Sequence, residues 1–152
     1  MLIRRIRKSD YAAVDRLLLQ LQQVDVQARP DRFAPMPHYM PQDSFACLLD
    51  NDNVVTFLAL EHGRAVGCCF ASLLERNAAD PQKTVYIDLL VVDENYRRRG
   101  IGRALFAAVR RRAAKYGAGK IELMVWSHNQ IAMSAYRAYG MTPQRSIYEI
   151  SV

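Results

Sequence analysis

Apolar positions change their spacing several times along the chain, and each change marks an element. Leu2 to Ile6 reads as an opening strand. Ala13, Val14, Leu17, Leu18 and Leu21 then recur at helical spacing, predicting a helix from Asp10, its cap, to about Gln22. Pro30, Pro35, Pro37 and Pro41 exclude a continuous helix between Val24 and Asp43. Phe33, Met36, His38, Tyr39 and Met40 lie among those prolines, so this loop reads either as a ligand rim or as a cover over the core. A short helix is expected over Ser44 to Leu49. Val54 to Leu60 and Ala65 to Leu74 form a hairpin pattern around the turn Glu61 to Arg64. Thr84 to Val92 is a further strand, and Gly102 to Tyr116 a helix with Leu105, Phe106, Val109 and Ala113 on one face. Ile121 to Trp126 returns as a strand parallel to Thr84 to Val92, because a helix joins the two. Asn129 caps a helix that carries Ile131, Ala132, Ala135, Tyr136 and Tyr139 and stops at Gly140. Ile147 to Val152 is expected as the last strand, with a further short strand near Met141.

The predicted order, β-α-α-β-β-β-α-β-α-β, is an α/β arrangement of one domain, residues 1–152, a natural size for a single core. A composition of 51% hydrophobic and 24% charged residues is that of a globular protein. The first ten residues lack the apolar segment of a secretory signal and no later run reaches membrane-spanning length, so no membrane role and a cytoplasmic location are expected. Cys47, Cys68 and Cys69 lack paired metal-ligand spacing; the last two, adjacent in a strand, point to opposite faces, and no metal is expected.

A net charge of +6, with basic clusters at Arg97 to Arg99, Arg103 and Arg110 to Arg112, raises nucleic acid or a phosphate-rich ligand as partners. Zinc-finger spacing, an RNA-binding aromatic motif and a detached basic tail are all missing, which favours the phosphate reading. Its place is Val92 to Leu105, where a strand, a glycine turn and a helix start meet. Unpaired N–H groups and the peptide dipoles at a helix amino terminus favour an anion. Gly100 and Gly102 allow an unusual φ or close approach of a ligand to the main chain. Arg97, Arg98, Arg99 and Arg103 add positive charge. The run is neither a dinucleotide fingerprint nor a P-loop. By itself it also reads as a turn whose glycines relieve strain beside a solvated basic face.

Two ordered motifs carry a family resemblance. Arg97-Arg-Arg-Gly100-Ile-Gly102 resembles the signature loop of the GNAT superfamily of acyl-coenzyme A-dependent N-acetyltransferases: Arg or Gln, two residues, Gly, one residue, then Gly or Ala. Asn129 to Met141 resembles the family's later helix, which starts at Asn, carries a Tyr and ends in Gly followed by an apolar residue. The resemblance implies a mixed, mostly antiparallel sheet with helices on both faces and two splayed parallel strands forming an acetyl-CoA cleft. It implies that the main chain of Arg97, Arg98, Arg99, Gly100, Ile101, Gly102 and Arg103 holds the pyrophosphate of acetyl-CoA. Leu90, Val91 and Val92 would meet the pantetheine arm and the thioester, and Asn129 the arm or an ordered water. Tyr136 matches the hydroxyl that donates a proton to the departing thiol.

Asp88 interrupts an apolar strand, where an acid costs desolvation unless it faces a cleft or a partner. It matches the strand position at which polyamine-type relatives carry a glutamate, so a water relay to the acceptor amine or plain binding of a cationic substrate is implied. Met124 stands where the ribosomal-protein branch has its glutamate; Glu122 lies two residues earlier. Asp25, Asp31, Tyr39, Glu75 and Glu122 are candidate acceptor contacts. The expected function is acetyl transfer to a primary amine, either a small aliphatic amine or polyamine or a peptide amine. The alternative is a non-catalytic coenzyme A-binding or nucleic-acid-binding module. A homodimer is suggested by the resemblance alone.

Overall fold

The computed structural model describes residues 1–152. Strand β1, Leu2–Arg4, leads through a single tight turn at Lys8–Asp10 into helix α1, Tyr11–Ala28. Helix α1 outruns the expected end at Gln22 because nothing in Gln22 to Ala28 opposes a helix; the stop comes at Arg29, before Pro30. Asp10 sits at the N-cap position without capping α1. Its carboxylate instead grips Arg4 at 2.7 and 2.8 Å and accepts from the Arg7 amide at 2.7 Å, fastening the strand to the turn.

Helix α2, Gln42–Asp50, follows the proline loop. Strands β2, Val54–Glu61, and β3, Arg64–Leu74, form the hairpin. Its two-residue turn has His62 at φ 48° and Gly63 at φ 80°, the left-handed pair that matches strand twist. Strand β4, Thr84–Val92, a short turn at Glu94–Tyr96, helix α3, Ile101–Tyr116, strand β5, Lys120–Leu123, and helix α4, Gln130–Ala138, complete the order.

The sheet runs β1-β2-β3-β4-β5, antiparallel throughout except for the parallel pair β4 and β5. Two apolar layers cover it. On one face Val14, Leu17 and Leu18 of α1 and Phe45 of α2 pack on Leu58, Cys68, Phe70 and Val91. On the other, Ile101, Leu105, Phe106, Val109 and Ala113 of α3 pack on Val55, Val66, Cys69, Ala71, Val85 and Ile87. Cys68 and Cys69 therefore do face opposite sides. Burial pushes the Cys68 thiol up to about 12 and raises Cys69 as well, so both are inert packing groups.

Two strand expectations fail. Residues 142–152 form no strand and are exposed throughout, and none forms near Met141. An alternating apolar pattern needs an edge to pair with, and this segment pairs with none within the chain. Strand β5 ends at Leu123, short of Trp126, because β4 veers away from it.

Candidate active site

The parting of β4 and β5 creates the site. Their parallel register runs from Thr84↔Lys120 to Ile87↔Leu123 and then stops. The next residue of β4 is Asp88. Against β3 the register passes from Ala71↔Ile87 to Phe70↔Leu89, so Asp88 is the extra residue of a β-bulge. A bulge bends the strand and re-aims the side chain it carries. From Asp88 to Val92 the side of β4 that faced β5 has no strand partner. An open wedge therefore starts at the one acid on this strand.

Ser72 Oγ donates to Asp88 Oδ2 at 2.7 Å. Desolvation raises the Asp88 carboxyl above its usual range, and the Ser72 bond offsets part of that rise. The carboxylate remains accessible from the wedge.

Beyond Val92 the chain is pinned from below. Asp93 is fully buried, accepts from Arg16 Nη1 at 2.7 Å and from the Asn95 amide at 3.1 Å, and lies 3.7 Å from Arg64. Burial alone would raise the Asp93 carboxyl, but Arg16, the Asn95 amide and Arg64 together hold it below its ordinary value. This anchor sets the origin of the glycine loop. Arg98 at φ 64° and Gly100 at φ 80° are both left-handed, which curls the main chain. None of the amides from Arg97 to Arg103 has a main-chain acceptor, and α3 begins among them at Ile101. Seven amides without main-chain acceptors at a helix start fit an anionic ligand.

Gly102 serves a different purpose from Gly100. A Cβ there would stand 2.8 Å from the Tyr139 hydroxyl, whose ring stacks on Phe106 at 5.0 Å. At Gly100 a Cβ would meet nothing, and only its positive φ demands glycine. The arginines are held apart: Arg97 donates to the Val92 carbonyl at 3.3 Å, Arg99 lies over Tyr96 at 4.9 Å and Arg103 over Tyr139 at 6.0 Å.

Asn129 caps α4, its side-chain oxygen accepting from the Ala132 amide at 3.1 Å. That leaves its amide nitrogen free to donate. Tyr136, further along the same helix, lies against Tyr139 with ring centroids 6.3 Å apart. Burial, with smaller contributions from Cys69 and Tyr139, pushes its phenol up to about 12. Its hydroxyl has no partner in the chain, yet no sealed polar side-chain atom lacks one, so the oxygen opens to solvent.

The wall on the α1 face contains a pair drawn from distant parts of the chain, with no local signature to join them. His128 Nε2 lies 2.8 Å from Asp25 Oδ1, each side chain about four-fifths buried. The His128 ring stacks on Trp126 at 5.9 Å, and Phe33 meets Trp126 edge-on at 5.5 Å. The proline loop is bound to α1 by Asp15, which takes the Tyr39 amide at 2.8 Å and His38 Nδ1 at 2.8 Å. Burial raises the Tyr39 phenol, and the nearby Asp25 charge raises it further. Asp25 and Tyr39 are thus brought together, with His128 added. Asp31 is clasped by Arg29 at 2.8 and 2.7 Å. Glu75 pairs with Lys83 at 2.9 Å, and Glu122 with Arg76; both stand beside the paired half of β4, before the wedge opens. No group of three or more His, Cys, Asp or Glu side chains is arranged to hold a metal ion, and no helix is long and apolar enough to cross a membrane.

Residues 20–141 match the sequence model of the Acetyltransferase (GNAT) family, and the chain belongs to that family. Among characterised relatives, the aminoglycoside N(6')-acetyltransferase type 1 of Salmonella typhimurium is 27% identical over 95 residues, 61% of this chain and 66% of that protein. The match thus leaves about a third of that relative uncovered. A mutant of the BH1408 protein from Bacillus halodurans superposes with a TM-score of 0.97 at 27% identity, over 100% of this chain and 99% of the other. An aminoglycoside N-acetyltransferase solved in complex with CoA shares the fold at a TM-score of 0.75 and 22% identity, over 99% and 98% of the two chains. The mixed sheet between helical layers is the fold expected from the sequence.

Proposed function

We propose that the protein is an N-acetyltransferase that moves an acetyl group from acetyl-CoA directly to a cationic primary amine, a polyamine or other small aliphatic amine in preference to a peptide. The observation that carries this reading is the placement of a partly desolvated carboxylate, Asp88, at the point where β4 and β5 part, with a donor loop at one end of the opening. Acetyl-CoA supplies the activated acetyl group. The unpaired amides of Arg97 to Arg103 suit its pyrophosphate, and the free edge of β4 at Leu90, Val91 and Val92 suits its extended arm. The Asn129 amide nitrogen is available to donate toward the same arm.

On the acceptor side, Asp88 binds the ammonium and, through water, assists the loss of its proton to solvent. Its raised pKa makes it a better proton acceptor than an ordinary carboxylate. Asp25, held by His128, and the Tyr39 hydroxyl line the approach and favour a cation. With its phenol at about 12, Tyr136 stays protonated at every physiological pH. Outright transfer to a sulfur of ordinary thiol pKa, about 8.5, would run uphill by about 5 kcal/mol. Tyr136 therefore acts by donating a hydrogen bond to the leaving sulfur as charge develops there, and water completes the protonation. The buried, inert Cys68 and Cys69 argue for direct transfer without an acyl-cysteine.

The test is an acceptor screen that follows thiol release from acetyl-CoA with polyamines, ornithine-like diamines, aminoglycosides and peptides with free amino termini. Similarity to an aminoglycoside acetyltransferase places those polycations in the screen. Highest kcat/KM for an aliphatic polyamine is expected. A preference for peptides that survives Asp88→Asn would overturn the acceptor assignment. A non-catalytic module would bind coenzyme A yet release no thiol with any amine.

A further inference from the structure

The end of α4 delivers a second phenol to the donor loop. Tyr139 closes that helix: its amide donates to the Ala135 and Tyr136 carbonyls, and Gly140, at φ 90°, turns the chain so that the Met141 amide also reaches the Tyr136 carbonyl. The backbone is therefore fixed. So is the ring, which stacks on the buried Phe106 of α3 with centroids 5.0 Å apart and planes at 28°, meets Tyr136 edge-on, and carries the Arg103 guanidinium 6.0 Å from its centroid.

Packing accounts for the ring and leaves the hydroxyl unexplained, since a phenylalanine would make the same stack. That hydroxyl bonds to nothing in the chain and is not sealed from solvent. It stands 2.8 Å from the point that a Cβ on Gly102 would occupy, in the first turn of α3, with Val92 Cγ2 3.6 Å from the same point. An amide nitrogen lies about 2.5 Å from the Cβ position of its own residue, so the hydroxyl and the Gly102 amide are at most about 5.3 Å apart. Two donors that close can share one oxygen at ordinary hydrogen-bond lengths of about 2.9 Å. The Gly102 amide has no main-chain acceptor, and glycine at this position leaves the space between the two donors open. Burial raises the Tyr139 phenol, and the Arg103 charge offsets part of the rise, so the group is a protonated donor and not a phenolate that would repel an anion.

We infer that the Tyr139 hydroxyl is an additional ligand of coenzyme A, donating to the pyrophosphate oxygen that the Gly102 amide also holds, and so fastening the end of α4 to the start of α3 across the bound molecule. Because the stack on Phe106 already holds the ring in place, little freedom is lost when the bond forms. The inference rests on the reading of the donor loop as a pyrophosphate site and is independent of which amine accepts the acetyl group.

Calorimetry with coenzyme A on the parent and Tyr139→Phe tests it. The phenylalanine keeps the stack, so Tm should be unchanged, while affinity should fall about 10-fold, the loss of one hydrogen bond to a charged acceptor. Phosphorus NMR of the bound ligand localises the effect: the pyrophosphate resonances should move in the variant and the separate ribose phosphate resonance should not. Unchanged affinity, or a change confined to the ribose phosphate, would overturn the inference. Should the phenylalanine variant melt lower than the parent, Gly102→Ala decides, because its methyl displaces the hydroxyl while the aromatic ring is retained. The same fall in affinity and the same movement of the pyrophosphate resonances are then expected, and full affinity would refute the shared oxygen. A parent that binds no coenzyme A overturns the loop reading and this inference together, whereas a parent that binds it beside unaffected variants overturns the inference alone.

Discussion

Replacing Asp93 with alanine tests whether the donor loop is held from beneath. The carboxylate is fully buried, caps the turn through the Asn95 amide and pairs with Arg16, whose side chain is 39% exposed. Breaking a fully buried ion pair costs about 3–5 kcal/mol because the remaining charge is stranded. Arg16 keeps its bond to the Ala65 carbonyl at 2.8 Å and reaches water, so the penalty is discounted to about 2–3 kcal/mol. For a chain of this size that corresponds to a fall in Tm of about 4–12 °C. Urea unfolding of parent and variant measures the difference directly, and coenzyme A titration should show weaker binding because the loop loses its origin. The pH dependence gives an internal check. Asp93 has a lowered pKa in the folded protein, so its contribution is complete above the unfolded value of about 3.9 and is lost as pH falls through the folded value. The gap between parent and variant should therefore close only in strong acid. A stability change below 0.5 kcal/mol (about a tenth of the full buried-pair penalty), or intact coenzyme A affinity, would refute the anchoring role.

Other perturbations separate the parts of the site. Gly102→Ala should cost about 1–3 kcal/mol by pushing Tyr139 off Phe106, whereas Gly100→Ala should cost about 1–2 kcal/mol through backbone strain alone, and thermal melts distinguish them from parent. Because Tyr136 stays protonated to about 12, kcat should show no falling limb up to pH 10; a limb near pH 8–9 that vanishes in Tyr136→Phe would contradict its assigned state. Asp25→Asn and His128→Gln should raise KM for a polyamine several-fold while leaving coenzyme A affinity unchanged by calorimetry, and a loss confined to coenzyme A binding would place the pair on the wrong side of the cleft.

Features legible in the sequence were those with a local cause. The glycine turn, the Asn129 cap and the hairpin at His62 and Gly63 are each set by a few neighbouring residues, and the fold confirms them as conformations. Asp88 stood out because an acid interrupts an apolar run, but the bulge that presents it depends on the register of β3 against β4. The join between Asp25 and His128 spans 103 positions and has no local signature. Asp15 likewise has no local signature for its role: it is buried and holds the proline loop. The expected final strand failed for a related reason: its alternation was visible, but residues 142–152 pair with no strand of the chain's own sheet.

The most direct measurement of the central claim is the initial rate of thiol release from acetyl-CoA, with and without a polyamine, in the parent and in Tyr136→Phe. Amine-dependent turnover that falls about 100-fold in the variant, with acceptor KM nearly unchanged, is the predicted result. Equal turnover in the two proteins, or thiol release that ignores the amine, would contradict direct transfer assisted by Tyr136.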